Sequence, residues 1–296
     1  MMSNDGNLRF KAVSGFFDHD SEAEGPQFRA VTTPNLGLLH RVYSTDGTFD
    51  PKTEKSQWER FIEYLDYLNR EGISKYKLFL IVRHGEGYHN VKEAQVGRTE
   101  WEKHWARLDG DGASSWFDAH LTEKGKQQAA SISTILKTPV ADGGIPVPMR
   151  HYTSPLSRCL ETTRIAFSEL KTTSSPRGNQ TTVIKEGLRE RIGVHTCDRR
   201  RTRSWIHEKY PDYEIEAGFT EIDELWKPDT RESLDEHILR VKQLLTVIFE
   251  QDPEYIVSLT AHSGTIRALY AAVNHRDVWV GAGAMVPVLI KADLAE

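Results

Sequence analysis

Residues 77–85, KLFLIVRHG, pass from a run of apolar side chains directly into an arginine, a histidine and a glycine. A short, nearly continuous apolar run of this kind predicts a strand that is buried on both faces of a sheet. Residues 255–260, YIVSLT, have the same character and lead into Ala-His-Ser-Gly, with the histidine at position 262. Two buried strands are therefore predicted to end in the same way, each with a histidine at its carboxyl end.

A third apolar run and several helical patterns place these strands in an α/β fold. Residues 147–152 predict another strand, which runs into the segment Ser-Pro-Leu-Ser-Arg before a helical pattern. Capping signals, Ser56 with Glu59 and then Thr122, mark the starts of two helices. Helices are predicted for 56–72, 123–138 and 234–250. This alternation predicts a three-layer α/β/α sandwich with a mostly parallel central sheet, in which ligands bind at the carboxyl ends of the strands.

The chain divides into two parts of different composition. Residues 1–54 are rich in glycine, proline, aspartate, serine and threonine and show no sustained period, which predicts an irregular N-terminal extension packed on the rest of the protein. Residues 55–296 carry the regular patterns, and we expect them to form one domain. With 296 residues, 38% of them hydrophobic, the chain is long enough to bury a substantial core.

The composition of the chain argues against some classes of binding partner. The formal net charge of -5 gives no overall attraction to nucleic acid or to anionic membranes, so a local cluster must hold any anionic substrate. Two cysteines, Cys159 and Cys197, are too few for a disulfide framework and indicate a reducing compartment. No apolar stretch is long enough to span a bilayer. We therefore expect a soluble cytoplasmic protein with neither nucleic acid nor membrane as a partner, and the oligomeric state stays open.

The position of His84 is typical of a catalytic nucleophile. A histidine between a buried strand and a glycine is held on a sharp turn, with its ring at the edge of the sheet. For a lone histidine, a hydrogen bond within the turn is the alternative role. Arg83 precedes it, however, and a second histidine turn occurs at His262. Guanidinium and imidazole donors that converge in this way suit a phosphate, whose oxygens accept several hydrogen bonds.

Four motifs in a fixed order resemble those of the histidine phosphatase superfamily, which includes phosphoglycerate mutases and many phosphatases. The motifs are IVRHGEGYHN (81–90), LTEKGKQQA (121–129), YTSPLSRCLETTRIAF (152–167) and LTAHSGTIRAL (259–269). Two further segments, 187–204 and 223–233, look like the fungal and plant phosphomutase-like branch. The resemblance implies the phosphoglycerate mutase-like form of the predicted sandwich.

The resemblance also implies a role for each motif residue. His84 is expected to attack phosphorus and form a phosphohistidine, which requires a neutral ring at the attacking nitrogen. Arg83 and Arg158 are expected to clamp the phosphoryl oxygens. His262, in protonated form, and Asn90 are expected to donate to the same oxygens.

A carboxyl group is expected to protonate the leaving alkoxide and then to activate water. Glu190 matches the Leu-x-Glu pattern of the superfamily, while Glu86 and Glu186 are competitors for the role. Glycolytic mutases of the superfamily follow this glutamate with His-Tyr-Gly, whereas this chain has Arg191 and Ile192. Water is therefore the expected acceptor of the phosphoryl group.

The expected function is a phosphomonoester hydrolase that acts on a small phosphorylated metabolite. Tyr88 and His89 are expected to line the entrance of its pocket. Arg199 and Arg200 lie in a basic segment that either binds a second phosphate or carboxylate or is a solvated loop. No metal or other cofactor is expected, because a cationic pocket repels a metal ion and no metal-ligand spacing is present. A mutase and a non-catalytic protein that binds phosphorylated ligands are the alternatives.

Overall fold

The strands of the protein belong to one sheet, which is flanked by helices. The computed structural model describes residues 8–21, 29–170 and 180–294. Over these residues the chain forms seven strands, which are β1 (Leu8–Ala12), β2 (Lys75–Arg83), β3 (Arg150–Thr153), β4 (Thr181–Ile184), β5 (Glu214–Ile215), β6 (Ile256–Ala261) and β7 (Met285–Leu294). The same residues form nine α-helices, which are α1 (Asp46–Phe49), α2 (Gln57–Glu71), α3 (Tyr88–Val96), α4 (Arg98–Lys103), α5 (Glu123–Leu136), α6 (Ser157–Phe167), α7 (Arg203–Lys209), α8 (Leu234–Gln251) and α9 (Ser263–Ala272).

The sheet is mostly parallel, as the sequence predicts. Its strand order is β1-β7-β2-β6-β3-β4-β5. Strands β2, β6, β3, β4 and β5 pair in parallel, whereas β7 pairs antiparallel with both β1 and β2. The carboxyl ends of β2, β6 and β3 therefore meet at one edge, where the three apolar runs end.

Alternate side chains of β2 enter two separate cores. Phe79 and Ile81 pack with residues of α8 and α9, and Leu78, Leu80 and Val82 pack with residues of α2, α5 and α6. All five side chains are buried, and each stabilises the fold by about 1.5–3 kcal/mol relative to an exposed position. This confirms the predicted three-layer architecture, with helices on both faces of the sheet. Over the described ranges, no helix is long and apolar enough to cross a membrane.

The predicted helix starts occur where their capping signals lie. The Ser56 hydroxyl accepts a hydrogen bond from the backbone N–H of Glu59 at 3.2 Å, and the Glu59 carboxylate accepts one from the Ser56 N–H at 2.8 Å. Thr122 caps α5 by accepting from the N–H of Gly125 at 3.1 Å. These caps satisfy N–H groups that have no partner within the helix.

The N-terminal extension is more regular than the prediction states. Strand β1 forms one edge of the sheet against β7, with Leu8 opposite Leu294. Later aromatic and aliphatic residues of the extension are buried in the core that contains α2, namely Phe16, Phe17, Leu36, Leu38 and Tyr43. The description of 1–54 as irregular is therefore wrong for β1, because a five-residue strand at a sheet edge gives only a short alternating pattern.

Two glycines let the loop that carries His84 pack directly on α5. A Cβ atom added to Gly85 would lie 2.3 Å from the backbone oxygen of Gly125, and one added to Gly125 would lie 2.1 Å from the backbone oxygen of Glu86. Both distances are shorter than any van der Waals contact. The glycines of the first two motifs are thus partners in one close backbone contact, which fixes the position of the loop.

Candidate active site

His84 lies directly after β2 and presents one ring nitrogen to a cavity. Its backbone N–H donates to the carbonyl of Ala261 on β6 at 3.0 Å. Its Nδ1 lies 2.7 Å from the carbonyl oxygen of Gly85, which can only accept, so Nδ1 carries the proton and Nε2 carries the lone pair. Burial, together with Arg158 and Arg83, holds the pKa of His84 well below its usual value. The ring is therefore neutral near pH 7, as a nitrogen nucleophile must be.

Arg158 connects the two histidine turns. It is the second residue of α6, and its side chain is 1% exposed. Its Nε lies 3.3 Å from Nε2 of His84 and 3.2 Å from Nδ1 of His262. The rings of the two histidines have their centroids 5.0 Å apart. Three side chains from distant parts of the sequence are thus brought together; His84 and Arg158 line the cavity, whereas His262 is buried behind Arg158 and does not.

The charge of His262 differs from the sequence-based expectation. Its Nδ1 accepts from the Arg158 guanidinium, so its Nε2 carries the proton and donates to the Ser154 hydroxyl at 2.8 Å. Burial and the neighbouring Arg158 hold the pKa of His262 well below its usual value. This ring is therefore neutral beside a guanidinium, and a protonated His262 that donates to phosphoryl oxygens stays a prediction.

A buried carboxylate, which the sequence analysis did not single out, holds Arg158 in place. Asp198 Oδ1 accepts from Nη2 of Arg158 at 2.9 Å, and the Cys197 carbonyl accepts from Nη1 at 2.6 Å. The second oxygen of Asp198 accepts from Arg231 at 3.0 Å. Burial alone would raise the pKa of Asp198, but Arg231 and Arg158 outweigh it and lower the pKa. The carboxylate is thus ionised and fixes two guanidinium groups at the cavity wall.

A second buried carboxylate anchors the helix that carries Arg158. Asp118 accepts from the backbone N–H of Ser157 at 2.8 Å and from its hydroxyl at 2.6 Å. Ser157 is the first residue of α6, so Asp118 satisfies an N–H group that has no partner within the helix. Burial raises the pKa of Asp118.

Arg83 lines the same cavity from the end of β2. Its Nη1 donates to the carbonyl of Val280 at 2.9 Å, while its Nε is buried and has no hydrogen-bond partner. Burial lowers the pKa of Arg83 and Glu190 opposes this effect, but a guanidinium stays charged at neutral pH. Arg83 therefore lines the cavity and keeps one N–H donor without a hydrogen-bond partner.

Glu190 lies at the N-terminus of α9, beside the second histidine turn. Its Oε2 accepts from the backbone N–H of Gly264 at 2.9 Å, and its Oε1 accepts from that of Arg191 at 3.0 Å. A Cβ atom at Gly264 would lie 2.0 Å from the carboxylate, so this close approach requires glycine. The carboxylate lines the cavity, where it can reach a substrate oxygen.

The two competing glutamates are engaged elsewhere. Glu86 accepts from Lys124 at 2.8 Å and from Thr122 at 3.0 Å. Glu186 forms ion pairs with Arg189 and Arg200. Neither glutamate lines the cavity, which leaves Glu190 as the carboxylate of the three with access to it.

Three residues of the first motif are predicted to bind substrate, and two of them line the cavity. Asn90 and His89 line the cavity, whereas Tyr88 does not and is 42% exposed. The side-chain oxygen of Asn90 accepts from the N–H of Gly87 at 3.0 Å, which turns its amide NH2 group toward other partners. The ring of His89 is buried, 5.6 Å from that of His84. The placement of Tyr88 at the entrance therefore needs correction, because the first turn of α3 points this side chain to solvent.

Arg199 and Arg200 of the basic segment do not form the second anion-binding site that the sequence analysis expects. Neither Arg199 nor Arg200 lines the cavity. Arg200 is buried, donates to Glu186 at 2.6 Å and covers the ring of Phe219, whereas Arg199 lies over the ring of Trp226. These contacts give the two arginines a structural role, and the predicted binding role of Arg200 is wrong because its donors are already used.

The cavity has a volume of about 700 Å³ and contains further cations that the sequence did not identify. These are Arg98, Arg107, Arg191, Arg231 and Arg267. The other charged side chains at its wall are Glu93, Glu102 and Asp229. His195, Cys197 and Asp198 offer metal-ligand atoms within 4.8 Å of one another at this wall, but the two arginines on Asp198 oppose a cation there.

The sheet places buried histidines and arginines at the carboxyl ends of its strands, where ligands bind in folds of this class, and these side chains suit an anion. Residues 79–281 match the family model of the histidine phosphatase superfamily, branch 1, and the chain belongs to this superfamily. The resemblance drawn from the four motifs is thereby confirmed.

The chain is similar in sequence to fungal proteins. The chain is 41% identical over 288 residues to the "Probable phosphoglycerate mutase" of Arthroderma benhamiae, which covers 97% of this chain and 85% of the relative. It is 35% identical over 232 residues to "Probable phosphoglycerate mutase PMU1" of Saccharomyces cerevisiae, covering 73% and 79%. Among solved structures, Bacillus stearothermophilus YhfR matches with a TM-score of 0.43 and 20% identity over 71% of this chain and 89% of that chain.

Proposed function

We propose that the protein is a phosphomonoester hydrolase that works through a phosphohistidine at His84. The observation that carries the proposal is the position of Arg158, whose Nε lies 3.3 Å from Nε2 of His84 and 3.2 Å from Nδ1 of His262. A neutral imidazole lone pair and a fixed guanidinium thus face the same small space. A phosphoryl group there meets a nucleophile and a clamp for its charge together.

In the first step, Nε2 of His84 attacks phosphorus while the bond from phosphorus to the substrate oxygen breaks. The carbonyl of Gly85 holds the proton on Nδ1, so the positive charge that develops on the ring is stabilised. Arg158 and Arg83 hold the equatorial oxygens as their charge is redistributed. Protonated Glu190 gives its proton to the leaving oxygen, which departs as an alcohol.

In the second step, water replaces the alcohol. The Glu190 carboxylate removes a proton from water, and the water oxygen attacks phosphorus as the bond to Nε2 breaks. Inorganic phosphate leaves, and His84 and protonated Glu190 are restored for the next cycle. Two displacements at phosphorus thus share one acid–base residue and one nucleophile.

A small phosphorylated metabolite is the substrate class that fits the cavity. A volume of about 700 Å³ is typical of sites for small molecules and exceeds what a phosphate alone needs. The cations at its wall favour an anionic substrate.

Phosphoryl transfer back to substrate, as in a mutase, is the second candidate. The names of the fungal relatives, "Probable phosphoglycerate mutase", favour it. Arg191 and Ile192 after Glu190, in place of the mutase segment, favour hydrolysis.

Release of inorganic phosphate tests the proposal. The purified chain is incubated with p-nitrophenyl phosphate and with a panel of phosphorylated metabolites in ¹⁸O-labelled water. A hydrolase releases phosphate that carries ¹⁸O, and His84→Ala releases none. Isomerised substrate without phosphate release would identify a mutase. Phosphate binding without turnover in either assay would identify a binding protein.

A further inference from the structure

We infer that His19, Asp20 and His275 form a site for one divalent transition-metal ion of the zinc type, separate from the phosphate cavity and structural in role. Two imidazoles and one carboxylate are the ligand set that zinc binds readily in proteins. His19 and Asp20 belong to the N-terminal extension, and His275 follows α9. The site joins parts of the chain that lie 255 residues apart.

The three ligand atoms surround a point at metal-binding distance. His275 Nε2 lies 3.1 Å from Asp20 Oδ1, and His19 Nε2 lies 4.0 Å from the same oxygen. The ligand atoms of the three residues all lie within 4.8 Å of one another. A point equidistant from three such atoms is about 2.4 Å or less from each, against about 2.0–2.2 Å for zinc bonds to nitrogen and oxygen. Movements of a few tenths of an ångström complete the coordination.

Each ligand is oriented by a second partner, as in known metal sites. Nδ1 of His275 donates to the carbonyl of Arg276 at 2.8 Å, and the ring of His19 has a hydrogen bond with the backbone of Pro287. The oxygen of Asp20 that faces away from the histidines accepts three backbone N–H groups at 2.8–3.0 Å, those of Gly15, Phe16 and Phe17. The remaining ligand atoms, Nε2 of each histidine and Oδ1 of Asp20, lie within 4.8 Å of one another.

One of the three ligand atoms has no hydrogen-bond partner. Nε2 of His19 is buried and unpaired, whereas Nε2 of His275 contacts Oδ1 of Asp20 at 3.1 Å. One metal ion satisfies all three atoms.

The surroundings suit a bound cation. The ring of Tyr270 stacks on His275 with centroids 4.8 Å apart. A water molecule would supply the fourth ligand. The carboxylates of Asp20 and Asp18 balance the charge of the ion, and the Arg276 guanidinium is held on the backbone carbonyl of His19 at 3.0 Å.

The position indicates a structural ion rather than a catalytic one. Helix α9 begins beside His262 and ends before His275, and ten helical residues span about 15 Å. None of the three ligands lines the phosphate cavity. The ion would therefore hold the extension on the turn after α9 without entering the reaction.

Metal titration of the full chain tests this site. The protein is stripped with EDTA, desalted and titrated with Zn²⁺ in a calorimeter and with Co²⁺ in a spectrophotometer. We expect one equivalent of Zn²⁺ to bind, visible absorption bands of four-coordinate Co²⁺, and a rise in Tm of about 5 °C at 100-fold excess over Kd.

His19→Gln should weaken binding by about 100-fold or more while p-nitrophenyl phosphate turnover is retained. His40→Gln is the matched control, since this histidine of the extension is exposed.

The outcomes separate this site from the metal-binding groups at the cavity. Binding that survives in His19→Gln and is lost in Cys197→Ser would place the ion at the cavity and overturn the proposal. Absence of binding to the stripped wild-type chain would overturn it as well. If His19→Gln does not fold, the zinc anomalous signal in wild-type crystals decides, because a peak between His19 and His275 is required.

Discussion

The proposed mechanism gives Glu190 and His84 different steps, so their variants should differ accordingly. His84→Ala should abolish turnover with the fold intact, because of the two histidines that contact Arg158 only His84 lines the cavity and can accept the phosphoryl group. Glu190→Gln should slow an alkyl phosphate by about 10²–10⁴-fold but p-nitrophenyl phosphate far less, because p-nitrophenolate departs without protonation. The measurement is kcat/KM of both variants on both substrates.

Glu86→Gln is the matched control for this comparison, since Glu86 is paired with Lys124 and does not line the cavity. This variant should lower kcat/KM only slightly, and by the same factor on both substrates. If Glu190→Gln also lowers kcat/KM by the same factor on both substrates, Glu190 is not the leaving-group acid. The other cavity glutamates, Glu93 and Glu102, would then be the next candidates.

Asp198 should matter as much as the arginine it holds. Asp198→Asn leaves Arg158 and Arg231 buried or half-buried without a carboxylate, which should lower the free energy of unfolding by about 3 kcal/mol. The misplaced guanidinium of Arg158 should also lower kcat/KM by about 10²-fold. Urea denaturation and steady-state kinetics measure the two effects, with exposed Asp235→Asn as the control. A loss of stability with unchanged kcat/KM would contradict the positioning role of Asp198.

The site residues that sequence reasoning identifies are those with a local pattern. His84 and His262 directly follow apolar runs, and Arg158 lies in a recognisable motif. Asp198 precedes three arginines and reads as part of a basic loop, because its partner Arg158 is 40 residues away. Asp118 has no local signal either, since it acts on the start of α6 39 residues later. Such pairings become visible only when the fold brings them together.

At the scale of elements, the contact between α5 and the loop after β2 should be sensitive to one methyl group. Gly125→Ala places a Cβ atom 2.1 Å from the backbone oxygen of Glu86, so the helix and the loop must separate. We expect a loss of about 1–3 kcal/mol in the free energy of unfolding and a fall in kcat as His84 moves. Gly47→Ala in α1 is the control, because an added Cβ there meets nothing within 4 Å. Equal Tm values for the two variants would show that this contact is not tight.

The elements that sequence patterns predict are those buried on both faces or capped by recognised residues. The apolar run of β2 and the capping box of α2 give their positions directly. Strand β7 is also apolar, but its antiparallel direction depends on its partners β1 and β2 and not on its own residues. Strand β1 alternates over only five residues, LRFKA, which is too short to distinguish from loop.

At the scale of the whole molecule, buried neutral histidines make stability depend on pH. Burial lowers the pKa of His84, His89 and His262, and it lowers the pKa of His151 and His237 to about 3. In the unfolded chain these groups return to about 6.5. At pH values between the folded and the unfolded pKa, the unfolded chain binds more protons than the folded protein. The free energy of unfolding is therefore highest above pH 6.5 and falls as the pH is lowered.

His151 offers the sharpest test of this dependence, because it lies outside the cavity. Its ring is buried, stacks on Phe167 and contacts the Ser258 hydroxyl at 2.7 Å. Each such histidine lowers the free energy of unfolding by up to about 1.4 kcal/mol per pH unit below its unfolded pKa. His151→Gln cannot titrate, so the difference in unfolding free energy between wild type and variant should change by about 1 kcal/mol from pH 6 to pH 5, in favour of the variant. Urea titrations at both pH values measure it, with His40→Gln at an exposed position as the control. If the difference in unfolding free energy between wild type and His151→Gln is the same at both pH values, His151 binds its proton equally well in the folded and the unfolded chain.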